Sequence, residues 1–389
     1  MKKSLFAIAA VTAFAGAAQA QSSVTAYGIA DAGIASVSNT TASGGSTTGV
    51  QSGGLASPRL GFKGVEDLGG GLKAGFVLEA EVLTANGAAN ATQVSSSNGS
   101  ATAQTTGFFN RASFLSVADA KFGEVKIGLS NTATYDNQVK FDPLKAANLG
   151  GYLNTSTSLD AVSAGAASSQ QAANRGTNAL SYTSPTFMGV QARFLTGEAQ
   201  GATGQNQYAG IASYLRVTDY GLAYTWQALE VAATMRTVSG TGGAGASATS
   251  GLYGSYDFKI VKPYVIYNNN ANKVPGTAQG MNYISKMVGA EAPITPTITV
   301  AAQYTQNING NVQTGNVSGT NSAQGVMAKY ALSKRTSLYA LGAFSQNGGA
   351  GASLTSTSKF TGYTSPIALT GQTNYANQTA YMLGLNHTF

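Results

Sequence analysis

The chain ends on Tyr381-Met382-Leu383-Gly384-Leu385-Asn386-His387-Thr388-Phe389, and this stretch decides the fold. Successive side chains of a β-strand point to opposite faces. One face therefore carries Tyr381, Leu383, Leu385, His387 and Phe389, and the other Met382, Gly384, Asn386 and Thr388. That is an amphipathic strand, apolar on one side and small or polar on the other. An edge strand in water is normally blunted by charge or proline, because its bare N–H and C=O groups template aggregation. Neither Lys, Arg, Asp, Glu nor Pro interrupts this one. Pairing with the first strand would remove the edge, so the expectation is a closed barrel. The C-terminal strand of a soluble sandwich is the competing reading of this stretch alone.

Composition separates the two. Only 10% of the 389 residues are charged, against about 25% in soluble domains. Yet 43% are hydrophobic and the mean hydropathy is −0.01, so Gly, Ser, Thr, Asn, Gln and Tyr stand where charge would be. A helical membrane protein needs apolar runs of about 20 residues, and none occurs beyond the N-terminus. A transmembrane barrel hides its apolar half by alternation and averages near zero. The 19 Tyr and 15 Phe, set in alternating segments, argue against a disordered Gly/Ser-rich chain. There is no cysteine, which removes disulfides and thiolate chemistry. The net charge is +7, but the cations are scattered singly instead of lining one face, so no nucleic-acid partner is expected.

Met1-Lys2-Lys3, the apolar stretch from Leu5 to Ala18 and the small-x-small Ala18-Gln19-Ala20 predict a secretory signal peptide over residues 1–20. Residues 21–389 are then a single exported barrel.

Along that region, segments of roughly ten residues alternate, as tilted membrane strands require. They fall near 24–36, 55–66, 72–83, 107–118, 124–131, 177–184, 189–198, 219–226, 229–238, 251–258, 261–269, 280–289, 297–306, 323–332, 336–346 and 375–389. These make sixteen antiparallel strands. Gln207 to Arg216 also alternates and is placed in a loop, because chain ends on one side of a membrane demand an even number. Connections alternate between short turns, such as Asp67-Leu68-Gly69-Gly70-Gly71, and long polar loops. That asymmetry belongs to transmembrane barrels.

Faces follow from parity. With Leu60, Phe62, Leu72, Ala74, Phe76, Leu78, Val125, Ile127 and Leu129 outward, Arg59, Lys63, Lys73, Glu79, Glu81, Glu124, Lys126 and Ser130 point inward. A Lys or Arg on the lipid face near the midplane costs about 2–4 kcal/mol, so inward charges are what that cost predicts. The segment Asn131 to Arg175, between the fifth and sixth strands, carries Tyr135-Asp136, Phe141-Asp142-Pro143 and Asp160. A structureless loop of that length is usually functional or disordered.

Several stretches carry a resemblance. They are Ser23-Val24-Thr25-Ala26-Tyr27-Gly28 with Asp31-Ala32-Gly33, Ser57-Pro58-Arg59-Leu60-Gly61-Phe62-Lys63-Gly64, and Glu66-Asp67-Leu68-Gly69-Gly70-Gly71-Leu72-Lys73-Ala74. Phe109-Asn110-Arg111-Ala112-Ser113-Phe114, Phe122-Gly123-Glu124-Val125, Tyr182-Thr183-Ser184-Pro185, Tyr330-Ala331-Leu332-Ser333-Lys334-Arg335-Thr336 and His387 with Phe389 follow in order. The chain resembles the trimeric, sixteen-stranded general porins of β-proteobacteria, the neisserial and Burkholderia-type group. The resemblance implies short periplasmic turns, long external loops and a third loop folded into the pore. It implies a constriction in which wall arginines face loop acids.

Arg59, Arg111 and Arg175 match the basic wall, with Lys126 and Lys63 beside them. Asp136, Asp142, Asp160 and Glu79 are the acidic candidates. Many relatives carry Arg where this chain has Ser130, a departure that would shift the basic cluster toward Lys126 or weaken it. Phe389, His387 and Tyr381 belong to barrel closure, and the terminal aromatic strand resembles those that the barrel assembly machinery reads. The implied partners are a homotrimer's other copies, outer-membrane lipid, lipopolysaccharide and small hydrophilic solutes. The implied function is passive diffusion with a mild anion preference.

The alternatives are a solute-specific channel and a plugged barrel acting as an adhesin or structural surface protein. A His-dependent hydrolase has only His387 to work with, on the outward face. Gly69-Gly70-Gly71 lacks the Lys-Ser/Thr and helix of a phosphate loop. No cofactor or metal is expected, although loop carboxylates could take up calcium weakly.

Overall fold

The computed structural model describes residues 23–38, 46–89, 92–97, 100–105, 107–145, 147, 149–155, 174–199, 215–240, 246–273, 280–311, 319–346 and 377–389. The expected signal peptide lies outside the described residues. The first strands are β1 (Ser23–Val37), β2 (Thr47–Ser52), β3 (Arg59–Gly69), β4 (Leu72–Glu81), β5 (Thr92–Ser97), β6 (Ser100–Thr105), β7 (Ala112–Asp119) and β8 (Gly123–Asn131). Helices α1 (Ala133–Lys140) and α2 (Tyr152–Thr155) follow. Then come β9 (Arg175–Thr183), β10 (Val190–Ala199), β11 (Leu215–Trp226), β12 (Leu229–Gly240), β13 (Ala246–Tyr256) and β14 (Lys262–Lys273). The last are β15 (Gly280–Pro293), β16 (Ile298–Asn311), β17 (Gly319–Ala331), β18 (Thr336–Gln346) and β19 (Gln378–Thr388).

Sixteen antiparallel staves close into a barrel. β2 and β3 are two parts of one stave: β2 pairs with the Ala32–Val37 part of β1, and β3 with the Ser23–Ile29 part. The strands β5 and β6 form a separate hairpin in the connection between β4 and β7. Several strands run further toward the long-loop end than the alternation predicts, β16 to Asn311 and β14 to Lys273. Hydrogen-bonded pairing continues there without an apolar belt to mark it. Arg216 belongs to β11 and not to a loop, while 207–214 lie outside the described residues.

The terminal strand closes the barrel as its sequence predicts. β19 pairs with β1 from Ile29↔Thr388 to Val37↔Ala380. Phe389 and Gly28 then exchange both backbone hydrogen bonds at 3.1 Å. A Cβ on Gly28 would run into the Phe389 ring, so glycine there lets the ring lie against β1. Gly28→Val should cost about 1–3 kcal/mol by overpacking the seam. The check is the folded fraction on unheated gels; an undiminished folded band would refute the seam argument.

Tyr381, Leu383, Leu385 and Phe389 are exposed on the outside, while Met382 and Ala380 are buried on the inside. His387 is on the outward face, its Nδ1 2.9 Å from Thr336 Oγ1 on β18. The outward belt continues round the wall through Leu115, Ile127, Leu180, Leu222, Leu252, Val288 and Val326.

At the short-turn end Gly69, Gly70 and Gly71 all take positive φ, +83°, +63° and +92°. Residues with a Cβ rarely adopt that conformation, which is why three glycines sit at this hairpin.

Candidate functional site

The segment after β8 enters the barrel because the wall is built to receive it. Thr132 caps α1, its side chain accepting from Tyr135 N at 3.2 Å. Asp219 of β11, fully buried, reaches the same helix end. Its carboxylate accepts the N–H of Ala133 at 2.7 Å and the Thr134 hydroxyl at 2.5 Å. Helix N-termini present unpaired N–H groups that suit an anion. Gly221, one inward step along β11, leaves the room that Ala133 occupies.

Beyond the helix two apolar clusters hold the segment down. Phe141 and Tyr152 pack with Tyr253, Tyr264, Ile266 and Met287 of β13 to β15. Leu144, Ala147 and Leu149 pack with Ala301, Met327, Leu341 and Met382 of β16 to β19. Between them Asp142 is buried, accepting Leu144 N at 2.9 Å and Tyr152 N at 2.6 Å. Gln303 Nε2 donates to the Gly150 carbonyl at 2.5 Å. The described part of this segment, as far as Tyr152, is thus anchored along the inner wall.

The basic candidates come together on the wall this element faces. Arg59 of β3, Arg111 just before β7, and Arg175 of β9 cluster around Glu79 and Tyr135. Arg111 Nε donates to Glu79 Oε1 at 2.7 Å, and Arg59 Nη1 lies 3.7 Å from the same oxygen. Tyr27 Oη donates to Glu79 Oε2 at 2.9 Å. Arg175 stacks on Tyr135 of α1, 5.2 Å from the ring centre. Arg111 and Arg175 are buried, and Arg59 is the half-exposed member. Of the remaining two basic candidates, Lys63 borders the cluster through Tyr27 and Lys126 has its own partner. Lys63 sits over the Tyr27 ring at 5.3 Å, and Lys126 pairs with Glu124 at 3.2 Å.

The acids depart from expectation. Glu79 is not opposite the arginines but inside their cluster, because β4 is the neighbour of β3 and Gly61 pairs with Glu79. Asp142 folds its own segment and offers no charge to the pore. Asp136 pairs with Arg193 of β10 at 2.8 Å and accepts from Asn131 Nδ2 at 2.8 Å. Asp160 lies outside the described residues.

Besides Asp219, three groups escaped the sequence reading. Arg193 is one, although inward parity in β10 marks it. The second lies by the short turns opposite, where Glu230 takes Lys140 of α1 at 2.8 Å and Lys262 at 2.9 Å. Glu291 takes Lys145 there at 2.8 Å. The third is Asp31, whose carboxylate accepts from Gly54 N, Ala56 N, Tyr339 Oη and Asn386 Nδ2 at 2.7–2.9 Å. Among the described residues no group of three or more His, Asp or Glu could hold a metal ion.

A barrel apolar outside, charged inside and narrowed by its own chain is a transmembrane channel. The comparisons agree. The profile of the Gram-negative porins matches residues 7–350, and the chain belongs to that family, whose members lie in the outer membrane. It is 39% identical to the outer membrane porin protein 32 of Delftia acidovorans over 198 residues, half of this chain and 49% of that protein's length. It is 28% identical to an outer membrane porin protein of Bordetella pertussis, across 89% of this chain and 95% of that one. Among solved structures, an anion-selective porin from Comamonas acidovorans superposes with a TM-score of 0.74 at 27% identity, covering 95% of this chain and all of the other.

Proposed function

We propose that this porin passes small hydrophilic solutes by passive diffusion and favours anions, with Arg59, Arg111 and Arg175 forming the basic side of its constriction. The observation that carries this reading is the sharing of carboxylates. Glu79 serves both Arg59 and Arg111, and Glu230 serves both Lys140 and Lys262. Arg175 meets an aromatic ring. Fixed charge of one sign along a low-dielectric passage concentrates counter-ions there, and guanidinium keeps its charge at every relevant pH. The anion selectivity of the Comamonas relative points the same way.

The mature chain starts at Gln21 in this reading and assembles as a homotrimer, with the short turns in the periplasm and the aromatic terminal strand read by the assembly machinery. No catalytic step is assigned. The test is the reversal potential of purified protein in a planar bilayer under a salt gradient. An anion-directed potential with large ohmic steps is expected. Neutral glutamine at Arg59 and Arg111 together should lower the anion-over-cation permeability ratio by more than about tenfold, since about 1 kcal/mol per charge, about 2 kcal/mol in all, is at stake. An unchanged potential would remove both from the constriction.

A further inference from the structure

The inner wall carries a second group of charges beside the arginine cluster. Between the inner faces of β7 to β11 and the start of α1 lies a cavity of about 110 Å³. One water needs about 10–15 Å³ of such space, so this cavity takes several waters or one small solute. Lys126 of β8 and Arg193 of β10 stand on either side of β9. Ser181 and Thr183 of β9 lie between them, Ser181 in register with Lys126 and Thr183 with Arg193. Asn131 and Asp136 line the α1 side. The side chains of Lys126, Arg193 and Asp136 are 25%, 27% and 37% exposed, so the lumen reaches them.

Both signs of charge are present, and each charged group has unused hydrogen-bonding capacity. Lys126 gives one donor to Glu124 at 3.2 Å. Arg193 Nη1 donates to Asp136 at 2.8 Å and Nη2 to the Asn131 carbonyl at 3.4 Å, which leaves the rest of the guanidinium fork. Each Asp136 oxygen accepts one hydrogen bond, from Asn131 Nδ2 and from Arg193, and each can accept another. Asn131 Oδ1 is buried and has no hydrogen-bond partner among the described residues. A buried acceptor left bare is costly, and a cationic N–H is its strongest partner. A simple anion would leave Asn131 Oδ1 bare and face Asp136. A simple cation would face Lys126 and Arg193. A molecule that carries an ammonium and a carboxylate on one carbon meets both sides.

We propose that this cavity is a subsite for small α-amino acids in their zwitterionic form. The carboxylate accepts from Arg193 and Lys126 across the Ser181 hydroxyl. The ammonium donates to Asp136 and Asn131 Oδ1. A short side chain lies against Phe114, which also lines the cavity, and the volume excludes long ones. The inference deepens the porin reading and rests on it, because the pore is what brings the solute to the wall.

The test is saturation-transfer NMR of the folded full-length protein in detergent micelles, titrated with L-alanine, L-lactate and L-alaninol. Lactate lacks the ammonium and alaninol lacks the carboxylate. Wild type should bind alanine about tenfold more tightly than either, the change expected when one charge-assisted pair is lost. Arg193→Gln should weaken alanine binding about tenfold. Ser181→Leu fills the cavity and leaves every charge in place, and should abolish saturable alanine binding. Lactate or alaninol held as tightly as alanine, or alanine binding unchanged in both variants, would overturn the site. Planar-bilayer conductance of the wild-type sample reports the channel separately. Open channels without a preference for alanine would sink the subsite alone, whereas alanine bound as expected by a protein that does not conduct would uphold the site and count against the porin reading.

Discussion

Replacing Asp31 with alanine should destabilise the barrel by roughly 3–5 kcal/mol, the largest effect expected of a single substitution in this chain. Asp31 is fully buried on the inner face of β1. Its two oxygens accept four hydrogen bonds from three places: the Gly54–Ala56 excursion, Tyr339 on β18 and Asn386 on β19. Bonds to a charged acceptor contribute about 1.5–3 kcal/mol each, and donors left buried without one cost more. Part of that is offset, because the carboxylate no longer has to be desolvated. The loss also falls at the worst place, since β1 and β19 are the two ends of the chain and their pairing closes the barrel. Urea unfolding in detergent micelles is the check, with Asp31→Asn as the intermediate case because it keeps two of the acceptor positions. A loss under 1 kcal/mol for Asp31→Ala would show that the excursion is held by its packing against Tyr339 and Met382 instead.

How much of this could be read from sequence depends on which physical constraint acts where. The barrel was legible because lipid on one face and water on the other enforce a strict period of two. Tyr381 to Phe389 shows that period, and the observed pairing with β1 follows from it. Strand ends were less legible, since pairing persists in β14 and β16 beyond the apolar belt that marks them. The inward course of the third loop came from the resemblance alone. Its anchors are Phe141, Tyr152, Leu144 and Leu149, and nothing in their spacing says that the wall they meet is the inside of the same barrel. Parity placed Glu79 inward correctly but could not say which charges it would meet. That depends on register, which puts Glu79 opposite Gly61 and so beside Arg59. Arg193 was within reach of the same parity argument in β10. Asp31 was not, because its four partners are scattered between residues 54 and 386.

The register of Glu79 has a consequence for selectivity. Glu79→Gln should raise the anion-over-cation permeability ratio about fivefold at low salt. The substitution keeps side-chain size, leaves an oxygen to accept from Arg111 Nε and puts an NH2 that can donate to the Tyr27 hydroxyl oxygen, so the cluster should hold its shape while losing one negative charge. Arg59, the more exposed of the two arginines that Glu79 serves, then loses its ion pair. A unit charge about 4 Å from a permeating ion contributes about 1 kcal/mol even at the dielectric constant of water, which corresponds to roughly fivefold in partitioning. Salt separates this electrostatic account from a change of shape. The screening length falls from about 10 Å at 0.1 M to about 3 Å at 1 M, so the gain in selectivity should shrink toward wild type across that range. Unit conductance at 1 M should stay close to the wild-type value. A ratio that rises and stays raised at 1 M, together with altered conductance, would mean that removing the carboxylate let Arg59 swing into the lumen and narrow it. A ratio that does not move at any salt concentration would mean that Glu79 and its two arginines are electrically closed off from the ions, and control of selectivity would pass to Lys140, Lys145 and Lys262 near the short turns.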